Sequence, residues 1–447
     1  MPEIGPEHPI TYRQELVVPL FQMLRSRESG AVIGAASMGK SRLLQFILRP
    51  DVRRHYLSNE AESFLLVRVD CNRLTAVTEW GLYELLLTAL IETAGEYSVT
   101  AGLRTELNQM RREVILSGNA LLAQRYVELA IRMLCQEQGL KLGLIFDEFD
   151  ESYCTLPSQT LANLRALRDM YKYQLNYLLF LRDHPAELRK REEDKGFYEL
   201  ISRTVFGLKP YSDKDARRII QQISVRRAHE LVEQISEETT VALLKLSGGH
   251  PGLLGALLNA LTTTPPIDWA QLEWALAQAE TREECRKLWD GLRSDERLTL
   301  HHLAQSVSTS FQARESLLMK GLISEEQPQQ IFFFSPLFQH WAGEWTPTVS
   351  STLHVDVQTG AVWLNGAQCG PLTVKEFDLI KYLYNRQGEI CETGEIIHHL
   401  YPGDEGFEIN ENNVATLMRR VRSKIEPDPR HPQHLLNIKG RGYRLII

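Results

Sequence analysis

The chain has 447 residues, of which 43% are hydrophobic and 24% charged, and its formal net charge is −7. That length exceeds one ordinary domain and predicts three or four units, while the composition excludes a low-complexity chain and a wholly basic nucleic-acid coat. Its cysteines (Cys71, Cys135, Cys154, Cys285, Cys369 and Cys391) show no C-x-x-C spacing, so free thiols are expected, with neither a disulfide framework nor a zinc site.

Between residues 16 and 208, short apolar runs alternate with helical patterns. Residues 31–33, 64–69, 142–146 and 177–181 read as buried strands, and stretches such as 82–93 and 121–136 read as amphipathic helices. This alternation predicts crossover units and a parallel sheet covered by helices on both faces. Residues 209–279 are helical in pattern, broken by Gly248-Gly249-His250-Pro251-Gly252. Residues 286–345 read as three helices, a short hairpin (321–323, then 331–334) and a last helix over 337–345. The expected organisation is a core over 1–208, a helical segment over 209–280, a small mixed unit over 281–345, a linker over 346–351 and a module over 352–447.

Gly34-Ala35-Ala36-Ser37-Met38-Gly39-Lys40-Ser41 fits G-x-x-x-x-G-K-[ST], between an apolar strand and a helix that continues through Arg42. Glycines let such a loop wrap closely, so that backbone N–H groups and the helix N-terminus face phosphates. Lys40 is expected to reach the β- and γ-phosphates of ATP, and the Ser41 hydroxyl to ligate Mg²⁺. A second strand, over 142–146, ends in Asp147-Glu148-Phe149-Asp150-Glu151. An acid at that strand edge lies where ligands bind in open α/β sheets. Asp147 is assigned to the Mg²⁺ shell and Glu148 to polarising the attacking water. Asp150 and Glu151 are read as a solvated acidic turn.

These two motifs resemble the Walker A and Walker B elements of AAA+ and STAND ATPases, a resemblance that spans about residues 16–345. It implies that 209–280 is a helical lid and 281–345 a winged-helix module. It also implies that Arg182, at the end of the next core strand, senses the γ-phosphate; a surface Arg capping a strand is the competing reading. Ser202-Arg203-Thr204 resembles the segment that offers an arginine finger to a neighbouring subunit. Pro251, in a G-x-P element, is implied to pack on the adenine, and His250 either faces the nucleotide or caps the next helix. No counterpart of the AAA+ sensor-2 Arg stands at the start of that helix. The third helix of the 281–345 module carries only Arg314 and Lys320 as cations, so it is read as structural.

Beyond the linker, turn signals at Thr359-Gly360 and Asn365-Gly366 separate short strands. Thr373 and Glu376 form a capping box for a helix over 374–386, a second helix spans 393–400, and a third spans 411–425. Strands over 435–438 and 443–447 close the module as a hairpin. On the third helix, Val414, Leu417, Met418, Val421 and Ile425 share one stripe. Asn412, Thr416, Arg419, Arg420 and Ser423 fall on the opposite face, flanked by Arg422 and Lys424. That face suits phosphates and base edges in a major groove, against the alternative of an ordinary solvated surface. Residues 353–410 hold three cations against nine acids, whereas 411–447 hold eight cations against three acids.

This module resembles the effector domain of OmpR/PhoB-type transcriptional regulators at Leu372-Thr373, at Glu376-Phe377-Asp378-Leu379, along the third helix and at Lys439-Gly440-Arg441-Gly442-Tyr443-Arg444-Leu445. The resemblance implies that Arg441, and after it Lys439, touch DNA from the wing, while Tyr443 and Leu445 anchor the hairpin. An ATPase takes the place of the usual receiver domain. The resulting expectation is a multidomain α/β and α protein with a P-loop NTPase core, acting as an ATP-dependent regulator. Its expected partners are ATP/ADP, Mg²⁺, double-stranded DNA and further copies of itself in a nucleotide-dependent homo-oligomer, with a protein effector as a further partner. A defence or mobile-element ATPase is the alternative. No apolar run is long enough to span a bilayer and no leader pattern opens the chain, so a cytoplasmic location without a membrane partner is expected.

Overall fold

Each of the four apolar runs forms a strand, and a fifth strand joins them. They are β1 (Gly30–Ile33), β2 (Phe64–Asp70), β3 (Lys141–Asp147), β4 (Leu175–Leu181) and β5 (Val205–Gly207). All pair in parallel, in the order β2-β3-β4-β1-β5. The structure is a computed structural model. It describes residues 8–96, 101–190, 193–226, 235–261, 271–305, 311–327, 330–345, 353–356, 360–364, 367–386, 388–401, 411–426, 429, 432, 434–438 and 441–446.

Two compact units are present, Met1–Trp345 and Thr346–Ile447. The helices around the sheet of the first unit are α1 (Gln14–Arg25), α2 (Lys40–Leu48), α3 (Pro50–Leu57), α4 (Glu79–Glu96), α5 (Ala101–Ser117), α6 (Ala120–Arg132), α7 (Asp150–Thr155), α8 (Ser158–Met170), α9 (Pro185–Leu188) and α10 (Lys195–Ile201). The strands sort their side chains by the period of two. Leu66, Ile145, Leu178 and Phe180 enter one core, whereas Leu65, Val67, Leu144, Phe146, Leu179 and Leu181 enter the other. Burial on both faces is why these strands read as continuous apolar runs. β5 was not among the predicted strands because only Val205 and Phe206 carry an apolar signal.

Helices α11 (Asp213–Arg226), α12 (Glu237–Ser247), α13 (Pro251–Leu261), α14 (Leu272–Ala277) and α15 (Ala279–Asp290) follow. After them come α16 (Ser294–Ala304), α17 (Phe311–Met319), the hairpin β6 (Ile323–Gln327) and β7 (Gln330–Phe333), and α18 (Pro336–Glu344). Leu253, Leu288, Leu337 and Phe338 belong to the same core as α1, α2 and one face of the sheet. The residues after β5 are therefore packed onto the sheet and its helices and do not trail from them.

The second unit runs β8 (Leu353–Val355), β9 (Val362–Leu364), β10 (Ala367–Gln368), α19 (Val374–Tyr384), α20 (Thr393–Leu400), α21 (Glu411–Ile425), β11 (Leu435–Ile438) and β12 (Gly442–Leu445). The capping box forms as expected: the Thr373 hydroxyl accepts from Glu376 N at 3.4 Å and the Glu376 carboxylate from Thr373 N at 2.8 Å. Of the expected turns, Thr359 and Asn365-Gly366 lie outside the described residues, as does the linker over 346–351. No helix among the described residues is long and apolar enough to cross a membrane.

A phosphate-type cleft and a basic winged helix

At the end of β1 the chain turns through residues 34–39 and re-enters as α2 at Lys40. Gly34 N donates to Leu181 O at 3.0 Å, and a Cβ on Gly34 would stand 3.1 Å from that of Leu208. Gly39 has a φ of 91°, in the region that favours glycine, and offers no side chain to cap α2. The first-turn N–H groups of α2 are thereby left for an anion. Lys40 is 7% exposed, and its ammonium donates to Gly34 O at 3.0 Å. Burial pushes its pKa down, and the nearby carboxylates of Glu148 and Asp150 oppose that.

Glu148 follows β3 with a φ of 50°, a strained backbone for a residue with a side chain. Its carboxylate lies 3.0 Å from the Arg182 guanidinium, at the end of β4, and 3.7 Å from the Lys40 ammonium. The loop residues 35–41, Arg42, Glu148, Arg182 and Pro251 line one cleft of about 660 Å³. Ser41, Arg42 and Ser37 are exposed there, whereas Met38 and Ala35 turn their side chains into the core.

Asp147 sits just behind. It is 1% exposed, and Oδ2 accepts from Arg68 at 2.7 Å. Its other oxygen, Oδ1, is buried without a hydrogen-bond partner among the described residues, and burial pushes the carboxyl pKa up. Asp150 departs from its expected place in a solvated turn. Oδ1 accepts from Arg182 N at 2.7 Å, Oδ2 is buried without a partner, and burial raises its pKa. It braces the strand end that carries Arg182. Glu151 is exposed. Arg203 is exposed just before β5, at the end of the strands away from the loop that follows β1, and does not line its own chain's cleft.

Two residues that the sequence did not single out, Arg13 and Lys287, stand between the loop and the chain after β5. Arg13 donates to Met38 O at 3.0 Å and to Lys209 O at 2.5 Å, and its guanidinium lies 4.4 Å from the Tyr211 ring centroid. Lys287, on α15, also faces the cleft and pairs with Glu284 at 2.9 Å. His250 does more than either expectation held. Nδ1 accepts from Leu253 N at 3.2 Å, capping α13, so Nε2 carries the proton and donates to Ala36 O at 3.2 Å. Burial holds its pKa at about 4, so the ring is neutral. Gly252 is obligatory at this junction, since a Cβ there would stand 2.8 Å from that of Ser37.

In the second unit, Val414, Met418, Val421 and Ile425 are fully buried and Leu417 is nearly so. Thr416, Arg419, Arg420 and Ser423 are exposed on the other face of α21, and Arg441 is exposed at the turn of the hairpin. No side-chain partner of Arg419, Arg420 or Arg441 occurs among the described residues. The flanking cations are differently placed. Lys424 donates to Glu376 at 2.6 Å and Pro371 O at 2.9 Å, and Arg422 Nε donates to Leu435 O at 2.8 Å. Both tie α21 to its own module. Tyr443 and Leu445 are buried, and Tyr443 exchanges backbone hydrogen bonds with Cys391. The Asn412 side chain and Lys439 lie outside the described residues.

Fold and site together define a P-loop NTPase fold joined in one chain to a winged helix of OmpR/PhoB type. Residues 367–445 match the family described as "Transcriptional regulatory protein, C terminal". The sensory transduction protein RegX3 of Mycobacterium leprae is 35% identical over 96 residues, which are 22% of this chain and 47% of that protein. The chain thus spans less than half the length of the curated relatives it matches. Among solved structures, the Walker-type ATPase Paby2304 of Pyrococcus abyssi is 16% identical with a TM-score of 0.45, covering 75% of this chain and 98% of that one. The RstA DNA-binding domain of Klebsiella pneumoniae, solved with the RstA box, is 20% identical with a TM-score of 0.19, covering 23% and 98%.

Proposed function

We propose that this protein is an ATP-dependent DNA-binding regulator of transcription, built from a STAND-type AAA+ ATPase and an OmpR/PhoB-type winged helix. The observation that carries the reading is the meeting of Lys40, Glu148 and Arg182 beside the loop of residues 34–41. A triphosphate on the loop draws Lys40 and Arg182 toward its oxygens. That frees Glu148, which both cations hold without it, to orient and polarise water. The Ser41 hydroxyl and the partnerless Asp147 Oδ1 suit a Mg²⁺ ion. Bound there, it supplies neutralisation of phosphate charge. Pro251 lines the same cleft and is the residue assigned to the adenine. Arg203, remote from its own cleft, acts only on a neighbour's nucleotide, which makes assembly part of turnover.

Several copies then present Arg419, Arg420 and Arg441 to DNA together, and linkage alone raises avidity. The test measures oligomer mass and duplex-DNA affinity in apo, ADP and non-hydrolysable ATP states. ATP-dependent assembly with tighter DNA binding is expected; identical behaviour in all three states sinks the switch.

A further inference from the structure

Arg182 and Asp183 are consecutive, yet they serve different surroundings. Arg182 turns into the phosphate-type cleft, 3.0 Å from Glu148. Asp183 is 8% exposed, and its Oδ1 accepts from Lys320 at 2.6 Å and from Arg293 at 2.8 Å. Lys320, directly after α17, is 1% exposed and also donates to both oxygens of Glu296, at 2.7 and 2.9 Å. Glu296, on α16, is 0% exposed and accepts further from Ser316 Oγ at 2.7 Å and Arg293 N at 3.0 Å. Asp183, Glu296, Lys320 and Arg293 thus meet in one cluster, from whose rim Arg293 also pairs with the exposed Asp295 at 3.0 Å. Three of the four come from the 281–345 segment, and the fourth caps the strand that carries Arg182.

A buried cluster of this kind is a poor way to gain stability, because desolvation offsets most of the attraction and apolar replacements are often as stable. What ions supply that apolar groups do not is a steep dependence on geometry: hydrogen bonds to charged groups are short and directional. A shift of α16 and α17 moves Asp183 with it. Its covalent neighbour Arg182 is drawn along, against the hydrogen bond that Asp150 accepts from the Arg182 N–H.

We propose that Asp183 is a positioning residue through which the 281–345 segment sets the place of Arg182, so that the packing of that segment and the sensing of the γ-phosphate are one coupled event. This rests on the nucleotide reading above and names the regulation of that same site. Sensing runs in both directions, since coupling between two sites is reciprocal. A triphosphate that pulls Arg182 off Glu148 loads the cluster, and a partner that displaces α16 or α17 withdraws Arg182 from the phosphate.

The experiment compares the full chain with Arg182→Ala, with Asp183→Asn/Lys320→Met, and with all three substitutions together. The pair removes one charge of each sign and leaves Glu296 with Arg293 at 3.5 Å, which spares the fold the unpaired charge that either single substitution leaves. Calorimetry on ATP and ADP is expected to show near-wild-type ADP affinity in the pair, and an ATP-over-ADP preference lowered by about tenfold or more, as in Arg182→Ala. Adding Arg182→Ala to the pair is expected to cause no further loss, because the two act through one contact. A full ATP preference in the pair, or losses that add, overturns the coupling alone. Absence of ATP binding by the wild-type chain overturns the nucleotide reading and the coupling with it. Hydrogen exchange supplies a second readout: a non-hydrolysable ATP analogue is expected to change protection of α17 in the wild type and not in the pair.

Discussion

The carboxylate of Glu148 holds the guanidinium of Arg182 at 3.0 Å, across two strands that are hydrogen-bonded neighbours in the sheet. The order β2-β3-β4-β1-β5 makes this contact possible, because it sets the strand ending in Arg182 between the acidic strand and the strand feeding the phosphate-type loop. The carboxylate proposed to polarise water is thus paired with Arg182 and Lys40 until an anion competes for those cations.

Glu148→Gln is therefore expected to keep ATP affinity and lose turnover. Loss of a positioned acid–base group lowers rates by roughly 10²–10⁴-fold. Steady-state phosphate release, read beside calorimetric ATP binding, checks it; unchanged turnover would remove Glu148 from the reaction.

Lys40→Ala removes the buried cation of the loop. ATP affinity should fall about 10–100-fold, the worth of a hydrogen bond to a charged group. The second unit should keep its own melting transition, since the two units have separate cores. Retained ATP affinity would show that the loop does not bind the nucleotide.

The neutral His250 ring gives the first unit an acid sensitivity. Burial lowers its folded pKa from 6.5 to about 4. As pH falls through 6.5 the unfolded chain takes up a proton that the folded one refuses. Stability is therefore intact above 6.5 and is lost between 6.5 and 4, at about 1.4 kcal/mol per pH unit for this group. Asp194, whose pKa burial raises to about 6, acts with the opposite sign. The difference between wild type and His250→Gln isolates the histidine: melting temperatures followed from pH 7 downward should drop less steeply in the variant. Parallel slopes would mean that the ring is already charged.

On the DNA side, Arg419→Ala and Arg441→Ala should each weaken duplex binding and reduce the slope of log affinity against log salt by about one. Lys424→Ala should instead lower the stability of the second unit, by about 1–3 kcal/mol, because it strips Glu376, 4% exposed, of its cation. Salt titrations and thermal melts separate the two outcomes. A full salt-slope effect from Lys424→Ala would place that ammonium on phosphate.

What the sequence made legible follows from periodicity. The strands around β1, β3 and β4 and the core stripe of α21 announce themselves through unbroken or 3.6-spaced apolar residues, and the loop of residues 34–41 through its fixed spacing. Arg13, Asp183 and Lys287 carried no such signal. Each is an isolated charged residue whose importance comes from elements far away in the chain, as with Arg13 and Lys209, 196 residues apart. Asp150 was misplaced for a related reason: four acids within five residues look like a surface turn, and only the strand end beside it shows that one of them is enclosed. Arg422 and Lys424 lie at the border of the outward face, where a helical wheel cannot tell a side chain reaching solvent from one reaching back to its own module.

The bond from Arg422 to the Leu435 carbonyl has a mechanical consequence. It fastens the helix bearing Arg419 and Arg420 to the hairpin that ends in Arg441. The helix and the hairpin proposed to meet DNA are thereby held to one another, which limits how far their spacing can adjust. Any mismatch with straight B-form geometry is then expected to be met by bending of the duplex. Choice among binding sites is therefore expected to depend partly on base steps that no side chain touches, with easily kinked pyrimidine–purine steps preferred between the two contacts.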